Sequence, residues 1–280
     1  MTASASPVER LRQRLADVGA PLCLGIDPHP DRLPEGLPPS ATGIEAYARG
    51  VIEAASPYAV AVKINVAFFE AYGAAGWAAL ERVRADVPAG TVVILDAKRG
   101  DIGPTAERHA AALFGHLAAD GVTLSPYLGE DAIEPFLAYP GRLVYVLART
   151  SNPSAGRLQD LPIGADGLRL HESVATWVAE RWAGDERMGL VVGATAPAEL
   201  ERLRTLAPGP PFLVPGVGVQ GGDLAAAVHT CHGTLAPGVV NVSRGIAASR
   251  GVDWQADAAA AAQRWVSLLR EAGGTLAAQP

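Results

Sequence analysis

Cysteine is almost missing from this chain: its 280 residues hold Cys23 and Cys231 and no others. Two thiols that far apart cannot make the dense disulfide framework of a small secreted domain, so a reducing, cytoplasmic setting is expected. Long apolar runs are missing too. No stretch of 18 uninterrupted apolar residues occurs, and the start, MTASASPVERLRQRLADVG, has no apolar signal segment. Neither a membrane span nor a leader is therefore expected. Positive charge is also in short supply, with 23 Lys and Arg against 29 Asp and Glu and a net charge of −6. That balance argues against broad capture of nucleic acid, although a small anion needs only a local basic site.

Several motifs are absent as well. No Walker loop and no G-x-S-x-G nucleophile elbow is found. His229-Thr230-Cys231-His232 is the one tempting metal cluster, but its spacing fits no usual zinc pattern, and His29, His109, His116 and His171 form no further set. No metal site is expected. No linker rich in Pro, Gly or Ser divides the sequence, so residues 1–280 read as a single domain with its core at about 22–270.

What is present is a rhythm. Short runs rich in Val, Ile and Leu occur at 22–27, 59–66, 91–98, 121–127, 142–150, 189–194, 211–218 and 238–245. They are nearly continuously apolar rather than alternating, the habit of parallel strands covered on both faces. Helical spacing lies between them: Ile44, Tyr47, Val51 and Ala55; Leu170, Val174, Trp177 and Arg181; Trp254, Ala258, Ala261, Trp265 and Leu268. Gly103-Pro104 marks a helix start, and Gly121 reads as its end. Eight strands, each followed by a helix, predict a (β/α)₈ TIM barrel. A doubly wound open sheet usually has fewer strands and gives no reason for the polar pattern that follows.

Polar residues gather where strands end. Asp27 closes the first run, Lys63 and Asn65 the second, Asp96 and Lys98 the third, Thr150 and Ser151 the fifth. Gln220 follows the seventh, and Ser243-Arg244 end the eighth. In such barrels the carboxyl ends of the strands form the active face. ILDAKRGDIG (94–103) therefore spends Asp96, Lys98, Arg99 and Asp101 on a shared mouth, and i, i+2 spacing on a strand aims Asp96 and Lys98 the same way. An isolated Asp-x-Lys is as readily a structural ion pair. Lys63 and Asp27 on neighbouring strands favour an alternating array in which each ion offsets the burial of the next. PGVGVQGGD (215–223) contains G-x-G-x-x-G, but it follows the seventh strand and lacks the ribose-binding acid of a dinucleotide fold. Loops after strands seven and eight of barrels commonly hold phosphate, here through Gln220, glycine amides such as that of Gly221, and Arg244. The irregular stretch 151–167 after the fifth strand is either decoration or a lid.

ILDAKRGDIG followed by Thr105, VKIN around Lys63, PGVGVQGGD and the terminal Ser243-Arg244-Gly245 together resemble the orotidine 5′-phosphate decarboxylase family. SNPSA after the fifth strand and AFFEAYG after the second resemble its longer bacterial type, and the match runs from about Leu22 to Gly245. The resemblance implies cofactor-independent conversion of orotidine 5′-monophosphate to uridine 5′-monophosphate and CO₂ in pyrimidine biosynthesis. It implies a catalytic tetrad of Lys63, Asp96, Lys98 and Asp101, with Asp101 and Thr105 supplied across a homodimer. Asp27 would hold a ribose hydroxyl, Ser151 the pyrimidine, and Gln220 and Arg244 the phosphate, with Gly221 and Ser243 beside them. Two other readings stay open: a magnesium-dependent sugar-phosphate decarboxylase or synthase of the same superfamily, and a non-catalytic nucleotide-binding barrel. The first would carry an acidic metal ligand where Lys63 stands, and a lysine there repels a divalent cation.

Overall fold

In the computed structural model, the described residues are 5–165, 167–218 and 221–274. Eight parallel strands close on themselves in sequence order. They are β1 (Leu22–Ile26), β2 (Ala61–Asn65), β3 (Val92–Arg99), β4 (Gly121–Leu124), β5 (Leu143–Arg149), β6 (Met188–Val192), β7 (Phe212–Pro215) and β8 (Val239–Val242). All eight apolar runs are strands; seven are shorter than their runs, and β3 is as long as its run and continues one residue past it to Arg99. Gly25 shows how tightly the barrel closes: a Cβ there would lie 2.8 Å from Cβ of Ser243 and 3.0 Å from Oδ1 of Asn241. Only glycine lets β8 lean over β1.

Helices pack outside the strands. On Ala41–Ala55 the predicted stripe is the buried one, with Ile44, Tyr47, Val51 and Ala55 all facing the barrel. Each large aliphatic side chain so placed stabilises the fold by ~1.5–3 kcal/mol. Elsewhere the phase slips. On Leu170–Arg181 the buried residues are His171, Ala175 and Val178, not Leu170, Val174, Trp177 and Arg181. On Trp254–Gly273 the expected Ala258 and Ala261 are buried, but further along Val266 and Leu269 are buried in place of Trp265 and Leu268, the last 43% exposed. Alanine-rich helices approach the sheet on their small residues, so the bulkier residues lie along the flanks.

Two further expectations need correction. The helix beginning at Gly103 runs to Ala110, continues as a wider π turn over Ala111–His116, and ends before Ala118 at φ 49°. Gly121 is instead the first residue of β4, where a Cβ would press to 3.1 Å on Leu143. After β4 there is no full helix, only 3₁₀ turns and the single turn Glu134–Leu137. Pro126, Gly129 and Pro135 interrupt any longer one. The stretch 151–167 is likewise not structureless. It holds one helical turn, Gly156–Gln159, and a bridge from Pro162 to Arg169, and its foot is pinned by Gln159 Oε1, which accepts from Thr150 N at 2.9 Å.

Candidate active site

At the carboxyl end of the strands is a cavity of about 190 Å³ lined by Asp27, Lys63, Asn65, Asp96, Ser151, Asn241, Ser243, Arg244 and the Pro215–Val217 and Gly245 backbone. Five different strands thus bring predicted residues to one mouth. A larger groove, about 1030 Å³, lies around Arg12, Leu15, His232 and Arg270 at the far end of the barrel. Arg12 pairs there with Glu186 in open solvent, and no catalytic grouping faces it.

Asp96 is the centre of the mouth. Lys63 Nζ donates to its Oδ2 at 2.8 Å and Lys98 Nζ to its Oδ1 at 2.6 Å. Burial alone would raise the Asp96 carboxyl, but the two ammonium groups outweigh it and hold the carboxyl well below the usual range. Burial likewise opposes the charge on Lys63, and the Asp96 and Asp27 carboxylates outweigh it, so Lys63 titrates above ordinary lysines. Beneath them, burial pushes the Cys23 thiol up to about 12, which leaves it neutral. Asp96 and Lys63 therefore both stay charged at neutral pH.

Lys98 reaches Asp96 by a route other than the regular pleat. Its backbone is left-handed, with φ 46°, and the pairing of β3 with β4 shifts register between Leu95 and Arg99. The strand bulges there, and the bulge turns the Lys98 ammonium back over Asp96. Such strain at a non-glycine residue costs of order 1–3 kcal/mol, so the surroundings must hold it. Thr123 on β4, which the sequence reading passed over, does so: its hydroxyl accepts from Lys98 N at 3.0 Å and donates to Asp96 Oδ1 at 2.8 Å.

Other predicted residues are placed differently. Asp101 and Thr105 do not line this cavity. Asp101 Oδ1 accepts from its neighbour Ile102 N at 2.8 Å, and Thr105 is exposed in the first turn of its helix. Thr150 turns to the 151–167 stretch and bonds Gln159, leaving Ser151 to face the mouth. Gln220 lies outside the described residues. Gly221 follows in the left-handed region at φ 74°, and its N–H donates to Gly218 O at 2.7 Å.

The β8 side is braced from behind. Trp265 Nε1 donates to Gly245 O at 3.1 Å, and Tyr47 Oη to Ala247 O at 2.6 Å. In front of these, the Arg244 guanidinium has no carboxylate partner among the described residues, and Asn241 Oδ1 is buried without a hydrogen bond. Asn241 is a second residue that sequence reasoning missed. No group of three His, Cys, Asp or Glu that could hold a metal is found among the described residues. Cys231 Sγ instead donates to Val228 O at 3.4 Å, and His232 Nδ1 accepts from Gly238 N at 3.3 Å.

The family model for the orotidine 5′-phosphate decarboxylase / HUMPS family matches residues 20–261. An orotidine 5′-phosphate decarboxylase of Roseiflexus castenholzii is 49% identical over 245 residues, 87% of this chain and 89% of that one. The structure of Leishmania donovani OMP decarboxylase superposes with a TM-score of 0.81 at 39% identity, covering 95% of this chain and 99% of that one. Leishmania donovani UMP synthase gives 0.84 at 40% identity, covering 96% of this chain but 56% of that longer protein.

Proposed function

The chain belongs to the orotidine 5′-phosphate decarboxylase family, and from that premise we propose how its residues divide the conversion of orotidine 5′-monophosphate to uridine 5′-monophosphate and CO₂. Breaking the bond from C6 to the carboxylate leaves an electron pair in the plane of the ring, where the π system cannot spread it. Lys98 sets its ammonium at C6, stabilises that pair, and passes a proton to C6. The amine left behind recovers its proton from solvent. Asp96, beside the leaving carboxylate, keeps the Lys98 amine aimed, while Lys63 on the opposite carboxylate oxygen keeps Asp96 ionised. The observation that carries this reading is Asp96 held between two ammonium groups at 2.8 and 2.6 Å.

The remaining roles follow from position and from the family. Asp27 takes a ribose hydroxyl and Ser151 the pyrimidine. Arg244, Ser243 and Gln220 take the phosphate; the Gly221 N–H, expected among the donors, is already held by Gly218 O, so Gly221 shapes the turn beside the phosphate instead. The cavity is smaller than the ~300–1,000 Å³ of most small-molecule clefts, so the nucleotide extends from the tetrad outward over the β7 and β8 loops. Binding energy collected at that distant phosphate is available to close loops and expel water at C6. Asp101 and Thr105, which do not line their own chain's cavity, complete the site of a second copy, and the working unit is a cytoplasmic homodimer of single-barrel chains with no cofactor.

Incubation with orotidine 5′-monophosphate after exhaustive chelation tests the reading. The orotidylate absorbance should disappear and uridine 5′-monophosphate accumulate. Turnover that chelation abolishes and magnesium restores would favour the sugar-phosphate alternative, and binding without turnover the silent barrel.

A further inference from the structure

We infer that Thr123 is a positioning residue of the reaction, acting through Lys98 and Asp96, an inference that rests on the roles proposed above. Thr123 is 1% exposed, with its hydroxyl between the two charged residues of β3. The direction of both its bonds is fixed by chemistry. The Lys98 N–H has only a proton to give, so the hydroxyl accepts there, at 3.0 Å. The Asp96 carboxylate has only lone pairs, so the hydroxyl's one proton goes to Oδ1, at 2.8 Å. Oδ1 is the same oxygen that receives the Lys98 ammonium at 2.6 Å.

One hydroxyl thus ties both ends of the bulge. It gives the Lys98 amide an acceptor where the β3–β4 ladder has lost its register, and it fixes the carboxylate on which the Lys98 ammonium rests. The left-handed backbone at Lys98 has no glycine to relieve it, so the tie keeps the amine on station. A valine has the same shape and a comparable fit to the strand but lacks both bonds.

The chain offers an unusually direct readout. Lys63 and Lys98 are its only lysines, so protein labelled with ¹⁵N-lysine gives two backbone amide signals. In Thr123→Val, kcat should fall roughly 10- to 100-fold, the loss expected when hydrogen bonds to charged groups are removed. Uridine 5′-monophosphate should bind within about threefold of wild type. The Lys98 amide should lose protection from hydrogen exchange while the Lys63 amide keeps it, and Thr123→Ser should restore both kcat and protection. Wild-type kcat in Thr123→Val, or a loss that Thr123→Ser leaves uncorrected, would overturn the inference. Should the valine variant fail to fold, Thr123→Ala set against Thr123→Ser carries the same test. Wild-type protein assayed alongside separates the two claims: absence of decarboxylation there refutes the roles proposed above, while the amide signals still decide whether Thr123 holds Lys98.

Discussion

The two sides of the mouth are built on opposite plans. On the β2–β4 side every buried charge already has its partners: Asp96 receives Lys63, Lys98 and Thr123, all from its own chain. On the β8 side Arg244 has no carboxylate among the described residues, Asn241 Oδ1 is buried without a bond, and the backbone is held from behind by Trp265 and Tyr47. A group satisfied within the protein gains little from the arrival of substrate, so it serves best as a fixed field for charge that develops later. A group left unsatisfied gains most when a ligand binds. The first side is suited to the transition state and the second to the ground state.

Removing Lys98 should therefore have the largest effect. Lys98→Ala should lower kcat by about 10⁴-fold or more, because it deletes both the proton donor and the field, yet leave uridine 5′-monophosphate binding within about tenfold. Arg244→Ala should do the converse, raising KM about 10- to 100-fold with kcat much less affected. Substantial turnover in the lysine variant, or an unchanged KM in the arginine variant, would break the division.

Asp101 sharpens the comparison, since the family resemblance assigns it to the charged array yet it does not line its own chain's cavity. Inactive Lys98→Ala and Asp101→Ala subunits should be mixed and allowed to exchange. If Asp101 serves the partner, a mixed dimer carries both substitutions in one site and neither in the other. Random exchange makes about half the dimers mixed, so activity should recover to about a quarter of wild type. No recovery in a sample shown to have exchanged would place Asp101 in its own chain's site.

The smallest expected effect is on stability. Because the folded state holds the Asp96 carboxyl below its ordinary value, its contribution is complete above the unfolded pKa of ~3.9 and lost as pH falls through the depressed folded value. The Tm of wild type should exceed that of Asp96→Asn by several degrees at pH 6–7, where Asn leaves Lys63 buried without its counter-ion. That gap should narrow below about pH 4. A gap unchanged from pH 7 to pH 3 would mean that the carboxylate's charge does not stabilise the fold.

The strands were legible because parallel strands buried on both faces must be apolar throughout, and the mouth because polar residues inside such a barrel have one end at which to gather. Helix phase was less legible: alanine contributes little to an apolar stripe yet is the residue that permits the closest approach, as at Ala175, which the expected stripe left out. Asp96 and Lys98 do meet, but through a bulge and a left-handed residue that side-chain alternation cannot foresee. Thr123 was invisible because a β-branched residue within GVTLSPY reads as ordinary strand, and only the register shift gives its hydroxyl two partners. Trp265 read as core stripe, and its indole N–H finds Gly245 only once the last helix is docked. One signal stood unused: the chain's only lysines are Lys63 and Lys98, and both lie in the array.

The division between the two sides is tested most directly by the reaction of a phosphate-free orotidine nucleoside with Arg244→Ala. An arginine that meets only phosphate has nothing to lose when phosphate is absent. The nucleoside should therefore react with the variant and with wild type at the same kcat/KM, within about twofold, however slow that is, while the nucleotide loses 10- to 100-fold. Equal damage to both substrates would put Arg244 at the reacting centre and contradict the separation of binding from chemistry.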